Sequence, residues 1–192
     1  MLGTHSLGIF AAMKIDALAA RHGRGVNWKP ILLGAVFKVT GAAPLTTLPL
    51  KGSYAMRDIA RSARFHGIAY QHPPKFPISS QAPARAFYWL NETDSALAKK
   101  LAQTLYQAYF VENRDISSPK ITADVAATLG IKRDNLLAAL NDAAVKDKLK
   151  NEVDAAIKLG VFGSPTIIID GEPFWGIDRF DQIERWLATG PF

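Results

Sequence analysis

Three positions near the end of the chain stand where chemistry could be done. In VFGSPTIIIDGEPFWGIDRF, residues 161–180, Ser164-Pro165 precedes an apolar run, Asp170-Gly171 marks a tight turn, and Asp178 sits at the mouth of a last helix. An aspartate there can accept hydrogen bonds from the first free helix amides and complement the helix dipole. On residue types alone, a plain hairpin followed by a helix accounts for the pattern equally well. Elsewhere the densest set of cations is Lys51, Arg57, Arg61 and Arg64, which residue types alone read as a solvated face.

The inventory narrows the chemistry. The chain has no cysteine, so disulfide frameworks, thiolate zinc sites, thiol nucleophiles and CxxC redox chemistry are excluded, and any thiol must be borrowed. No metal site is expected. The net charge of +6, from 23 Lys and Arg against 17 Asp and Glu, favours a negatively charged partner. The cations are scattered without interleaved aromatics, so nucleic acid is not expected. No apolar run approaches the ~20 residues that span a bilayer, and the first residues lack a signal layout. No membrane partner and a cytoplasmic location are therefore expected.

The elements that must position these residues follow from periodicity. Residues 9–22 read as a first helix stopped by Gly23, and VNWKPILLGAVF, residues 26–37, as an extended apolar strand with Pro30 at an edge or bulge. From Tyr54 to Asn141 almost every segment reads as helix. QHPPKFPISS is a proline-rich connector, residues 91–95 a possible break, and Ser118-Pro119 a helix start. Val145, Leu149, Val153 and Ile157 recur every four residues and predict a long helix ended by Gly160. Asp-Gly between apolar runs then predicts a β-hairpin, followed by a helix with Phe180, Ile183 and Leu187 on one face. Phe37, Phe174 and Trp175 are expected in the core rather than on a ligand wall. The order is that of a small α/β layer fold interrupted by helices.

At this level of detail the chain resembles a known group. Gly160-x-x-Gly163-x-Pro165, the apolar strand, the turn, and Trp175-Gly176-x-Asp178-Arg179 are similar to the C-terminal half of DsbA-like thioredoxin-fold proteins. With LAARHGRGVNWKPILLGAVFKVTG, PLKGSYAMRDIARSARFHGI and FPISSQAPARAF, the resemblance is to the 2-hydroxychromene-2-carboxylate isomerase family and its relative, kappa-class glutathione transferase. It implies an α/β thioredoxin-like fold with an all-helical insertion. Residues 1–36 and 143–192 would form the thioredoxin-like domain and 37–142 the insertion.

The resemblance also implies function: a glutathione-dependent isomerase of aromatic catabolism, acting as a homodimer on a small anionic aromatic substrate. The alternatives are a kappa-like transferase and a non-catalytic glutathione-binding protein. In the family the glutathione thiolate adds to a conjugated carbon, permits rotation, and leaves. Ser164 and a cis Pro165 would present backbone to glutathione, Asp178 would meet its ammonium with Ile177 contributing backbone, and Lys51 would reach a carboxylate.

The family pattern breaks at the start. Where relatives have a first strand and then Ser-Pro-x-Ser-Tyr, this chain has only MLGT and then His5 at the first serine, Ser6 at the proline, Gly8 at the second serine and Ile9 at the tyrosine. The first strand is expected to be missing or reduced. Thr4 or Ser6 could supply the thiolate-stabilising hydroxyl, or His5 a cation, or the start could be aberrant. Ala42 and Ser79 stand where relatives usually have asparagine.

Overall fold

The structure, a computed structural model, describes residues 6–192 and the side chains from Gly8 onward. The expected strand stub, the expected hydroxyl of Thr4 and the expected cation of His5 lie outside the described residues, as does the side chain of Ser6.

Helix α1, Ser6–Arg21, ends before Gly23, whose φ of 66° suits glycine. Residues 24–32 run extended and helix α2 follows at Leu33–Thr40. This corrects the expected strand over 26–37. Leu33, Val36, Phe37 and Thr40 are spaced i, i+3, i+4 and i+7, a helical period that the continuous apolar run conceals, and Val36 is buried. The extended part is anchored rather than paired into a long ladder. The Tyr88 hydroxyl donates to the Pro30 carbonyl at 2.8 Å, and Lys29 meets Glu152 at 2.6 Å. Trp28 Nε1 donates to Asp16 at 3.3 Å.

Five helices follow: α3, Lys51–His66; α4, Gln81–Asn91; α5, Ser95–Phe110; α6, Pro119–Ala127; and α7, Arg133–Ala139. The proline-rich connector stays non-helical and the break near 91–95 is real, because Asp94 caps α5 by accepting from the Leu97 amide at 2.8 Å. Ser118 accepts from Ile121 N–H at 3.5 Å and Pro119 opens α6. Helix α4 packs on α5, α6 and the later helix α8 (Ala143–Lys158), so the helices bury one continuous core with Phe87, Leu101, Tyr109, Phe110 and Leu136 at its centre.

Helix α8, Ala143–Lys158, is capped by Asp142 and buries Val145, Leu149 and Val153 as the four-residue spacing requires. Strands β1, Thr166–Ile169, and β2, Glu172–Trp175, form an antiparallel hairpin, and helix α9, Phe180–Thr189, closes the chain. Asp170 and Gly171 have φ of 51° and 94°, the positive signs a two-residue turn of this twist needs. Such a turn makes Ile169 and Glu172 a hydrogen-bonded pair, so Ile168 opposite Pro173 is a non-hydrogen-bonded one. The missing N–H of Pro173 therefore falls on the outer edge and costs no ladder bond. One face of the hairpin packs on α1 and α9 through Leu18, Ile169, Phe174 and Ile183. Helix α1 thus touches both the helical block, through α3 and α5, and the hairpin side, through α9.

Candidate functional site

The two ends of the hairpin build the site. Ser164 and Pro165 enter β1 through a cis peptide bond, as the resemblance implied. On the exit side, Gly176 leaves β2 and donates its N–H to the Pro165 carbonyl at 3.0 Å. That bond fastens the turn carrying Ile177 and Asp178 to the strand entry carrying Ser164. The turn is a single 3₁₀ turn, Ile177–Arg179, with Ile177 buried beneath it.

Two glycines that the sequence pattern included without a role, Gly163 and Gly176, shape this corner. Gly176 has φ 105° and ψ 155°, a conformation almost confined to glycine, and a Cβ there would fall on the Asp178 carboxylate. Gly163 lies under the Trp175 indole, which occupies the place a side chain would need. Their signal in the sequence is position: each stands one residue before a site residue or beside one, in FGSP and WGID.

Asp178 is not a helix cap. Neither the 3₁₀ turn nor α9 has a side-chain cap hydrogen bond, and the N-cap position of α9 is Arg179. The Asp178 side chain is 69% exposed and pairs with Arg179 at 3.4 Å. An exposed pair of this kind is worth at most ~1 kcal/mol, so the carboxylate can exchange its partner for a ligand cation cheaply. Ser164, by contrast, is 5% exposed and Pro165 is buried. No described hydrogen bond or ion pair joins Lys51 to these four residues. Lys51 is the exposed first residue of α3 and begins the four-residue row that continues with the buried Ala55, Ile59 and Ala63, whereas Arg57, Arg61 and Arg64 lie on the opposite, exposed face.

The aromatic expectation holds for Phe174, which is buried, and fails for Trp175, which is 53% exposed. Phe37 is half-buried on α2. Trp175 stands opposite Thr166, on the hairpin face turned away from Phe174, and meets Phe162 edge to face with centroids 5.0 Å apart. Alternation along a four-residue strand sends neighbours to opposite faces, so Phe174 and Trp175 could not both be core.

Titration elsewhere follows burial and pairing. Burial, reinforced by the Lys14 ammonium, lowers the His66 imidazole below its ordinary value, and burial alone lowers His72. Burial would raise the Glu152 carboxyl, but hydrogen bonds from Lys29 and Lys148 outweigh it and hold it low. Among the described residues no three histidine or acidic side chains gather as a metal site, and no helix is long and apolar enough to cross a membrane.

A terminal helix–hairpin–helix unit, entered through Ser-Pro and preceded by a helical block, defines a thioredoxin-like protein of the DsbA type. The chain belongs to the DSBA-like thioredoxin domain family, whose model matches residues 9–188. It is 28% identical over 180 residues to glutathione S-transferase kappa 2 of Caenorhabditis elegans, covering 87% of this chain and 80% of the relative. It is 26% identical over 180 residues to 2-hydroxychromene-2-carboxylate isomerase of Pseudomonas putida, covering 93% and 87%. In fold, it superimposes on a solved 2-hydroxychromene-2-carboxylate isomerase with a TM-score of 0.86 at 24% identity, over 96% of this chain and 90% of that one.

Proposed function

We propose that the protein is a glutathione-dependent isomerase of the 2-hydroxychromene-2-carboxylate type, acting in the cytoplasm as a homodimer on a small anionic aromatic substrate. The carrying observation is Asp178: an exposed carboxylate without capping bonds, fastened beside the Ser164-Pro165 entry by the Gly176 to Pro165 hydrogen bond. Such a corner suits a zwitterionic peptide ligand, with the carboxylate for an ammonium and strand-entry backbone for a peptide unit. The family membership and the two kinds of relative support the same ligand.

Glutathione, when bound, would supply the nucleophilic thiol that a cysteine-free chain lacks. The chain's part is to hold and orient. Asp178 receives the ammonium, Ser164, Pro165 and Ile177 offer backbone, and Lys51 attracts a carboxylate. Thr4, His5 and Ser6 are the residues we assign to steadying a thiolate. Residues 1–36 and 143–192 carry the ligand site in this reading, and 37–142 form the inserted helical subdomain.

A kappa-type transferase is the second reading, favoured by the kappa-class relatives at 28% and 26% identity. Thermal denaturation with glutathione tests both. Ligand at 100 times its Kd stabilises by about 2.7 kcal/mol, roughly 5–11 °C for a chain of this size. No shift at millimolar glutathione removes both readings. With a shift in hand, the ultraviolet change of hydroxychromene carboxylate with and without glutathione separates isomerase from transferase or binder. Asp178→Ala is expected to lose the shift while keeping its helical content.

A further inference from the structure

Helix α3 turns a patterned face to solvent. Leu50 at its N-cap is 92% exposed, Tyr54 61% and Phe65 84%. Leu50 also holds φ at 62°, a conformation that leucine enters only at a cost, so a strained backbone presents an apolar side chain to water. At roughly 100° of turn per residue, Tyr54, Arg57, Asp58, Arg61 and Phe65 share one stripe, with Leu50 one turn before Tyr54. The buried Ala55, Ile59 and Ala63 lie on the opposite side. The stripe runs roughly 22 Å from Leu50 to Phe65 at the rise of an α-helix. Aromatic residues and arginine are the types enriched in pairing surfaces.

The order of residues along the stripe says what fits it. About a midpoint between residues 57 and 58, Leu50 matches Phe65, Tyr54 matches Arg61 and Arg57 matches Asp58. The matches are apolar with apolar, ring with guanidinium, and cation with anion. Two such stripes laid antiparallel about a two-fold axis at that midpoint therefore meet group to complementary group, as an isologous contact requires. The like-charge match is Lys51 with Arg64, and these stand on opposite flanks of the stripe. The central groups are available. Arg57 has no ion pair or side-chain hydrogen bond among the described residues. Asp58 pairs with Arg61 of its own chain through Oδ1, which leaves Oδ2 for a second guanidinium. The Arg61 guanidinium already lies 5.8 Å from the centroid of the Tyr54 ring, the contact that the match would repeat between copies.

We propose that two copies of the chain pair antiparallel through this face of α3. A lipid surface takes a helix whose apolar side chains are segregated from its cations, whereas Arg61 here stands between Tyr54 and Phe65. An unrelated acidic partner would match the arginines and leave Asp58 against like charge. A second copy satisfies every position of the stripe. The inference rests on the homodimer of the proposed function, to which it gives a surface, and is independent of glutathione.

The test is sedimentation of the full chain and its variants from nanomolar to high micromolar concentration. The parent is expected to be a dimer. Arg57→Asp sets carboxylates against carboxylates at the centre of the contact, and Asp58→Arg sets guanidinium against guanidinium. Each is expected to raise the dimer Kd at least tenfold. Leu50→Ser, which loses its apolar match in the second copy, is expected to raise it as well. Mixing the two single charge variants gives each acidic centre a basic one, so the mixture is expected to form mixed dimers with a Kd near the parent's. Helical content by circular dichroism is expected to stay parental, because none of these side chains belongs to the core. If Asp58→Arg loses helix with its Arg61 pair, Arg57→Asp and Leu50→Ser decide the matter. A parent that stays monomeric at high micromolar concentration overturns the proposal together with the homodimer reading. A parent dimer whose Kd none of these substitutions raises overturns the proposal alone, since pairing then runs through another face. Folded single variants that do not associate on mixing overturn it too.

Discussion

Gly176→Ala tests the site and the backbone that makes it. At φ 105° and ψ 155°, residue 176 occupies a region that side-chain-bearing residues enter only at a cost of about 1–3 kcal/mol. For a chain of this length that cost lowers the melting temperature by roughly 2–12 °C. The new methyl would also meet the Asp178 carboxylate. That side chain is exposed and swings aside cheaply, so the collision adds little instability but would displace the proposed ammonium anchor. A hydrogen bond to a charged group is worth about 1.5–3 kcal/mol, hence glutathione affinity should fall about 10- to 150-fold. Gly171→Ala is the control: its φ is 94° but nothing lies within 4 Å of the added carbon. It should lose stability and keep its affinity. The assays are urea denaturation and calorimetric titration with glutathione on both variants and on Asp178→Ala. In the Asp178→Ala background, Gly176→Ala should weaken binding no further. If Gly176→Ala unfolds more easily yet binds glutathione as tightly as the parent, the carboxylate is not the anchor. If its stability is unchanged, the conformation of this corner is wrong.

Two other outcomes follow from particular contacts. Gly163→Ala drives a methyl into the Trp175 indole, and such overpacking typically costs about 1–3 kcal/mol. The loss should shrink when Trp175→Ala is combined with it, and equal losses in both backgrounds, measured by urea midpoint, would contradict the contact. Acidification is expected to weaken the fold through two histidines. His66 and His72 have folded values below their unfolded one, so the unfolded chain binds protons first, and stability falls as pH drops below about 6.5. Proton resonances of the two imidazoles should titrate below that value, and a midpoint at or above it for either would refute the assignment.

How much of this was legible in the sequence depends on how far apart the deciding residues lie. The hairpin, its Asp170-Gly171 turn and the α8 spacing are local signals, and each reappears where its residues required. Ser118-Pro119 opens α6 for the same reason. The strand expected over 26–37 failed because a short apolar run carries two periods at once, and packing of Val36 into the core selects the helical one. Trp175 was misjudged because burial belongs to a face, and the face of β2 that α1 and α9 cover is fixed only when Phe174 seats against Trp186 at 5.6 Å. Gly163 and Gly176 could have been suspected from their neighbours, but the atoms that exclude a Cβ come from residues 175 and 178 after folding.

The same distinction divides the candidate site. Ser164, Pro165, Ile177 and Asp178 sit within one hairpin and its exits, so a single backbone hydrogen bond between residues 165 and 176 brings both halves together. Their arrangement is settled by short-range geometry and should survive changes in the helical block. Lys51 reaches the domain by a different route, at the first turn of a helix whose placement depends on α3 packing against α1. A helix held by side-chain packing shifts when its core residues change volume. Substitutions at Ile59 or Ala63, buried on the inner face of α3, therefore move Lys51 relative to Asp178 without touching either residue. The two ends of a ligand spanning them would respond separately. In the proposed reading, affinity carried by Asp178 would depend on the hairpin, and affinity carried by Lys51 on the helical core.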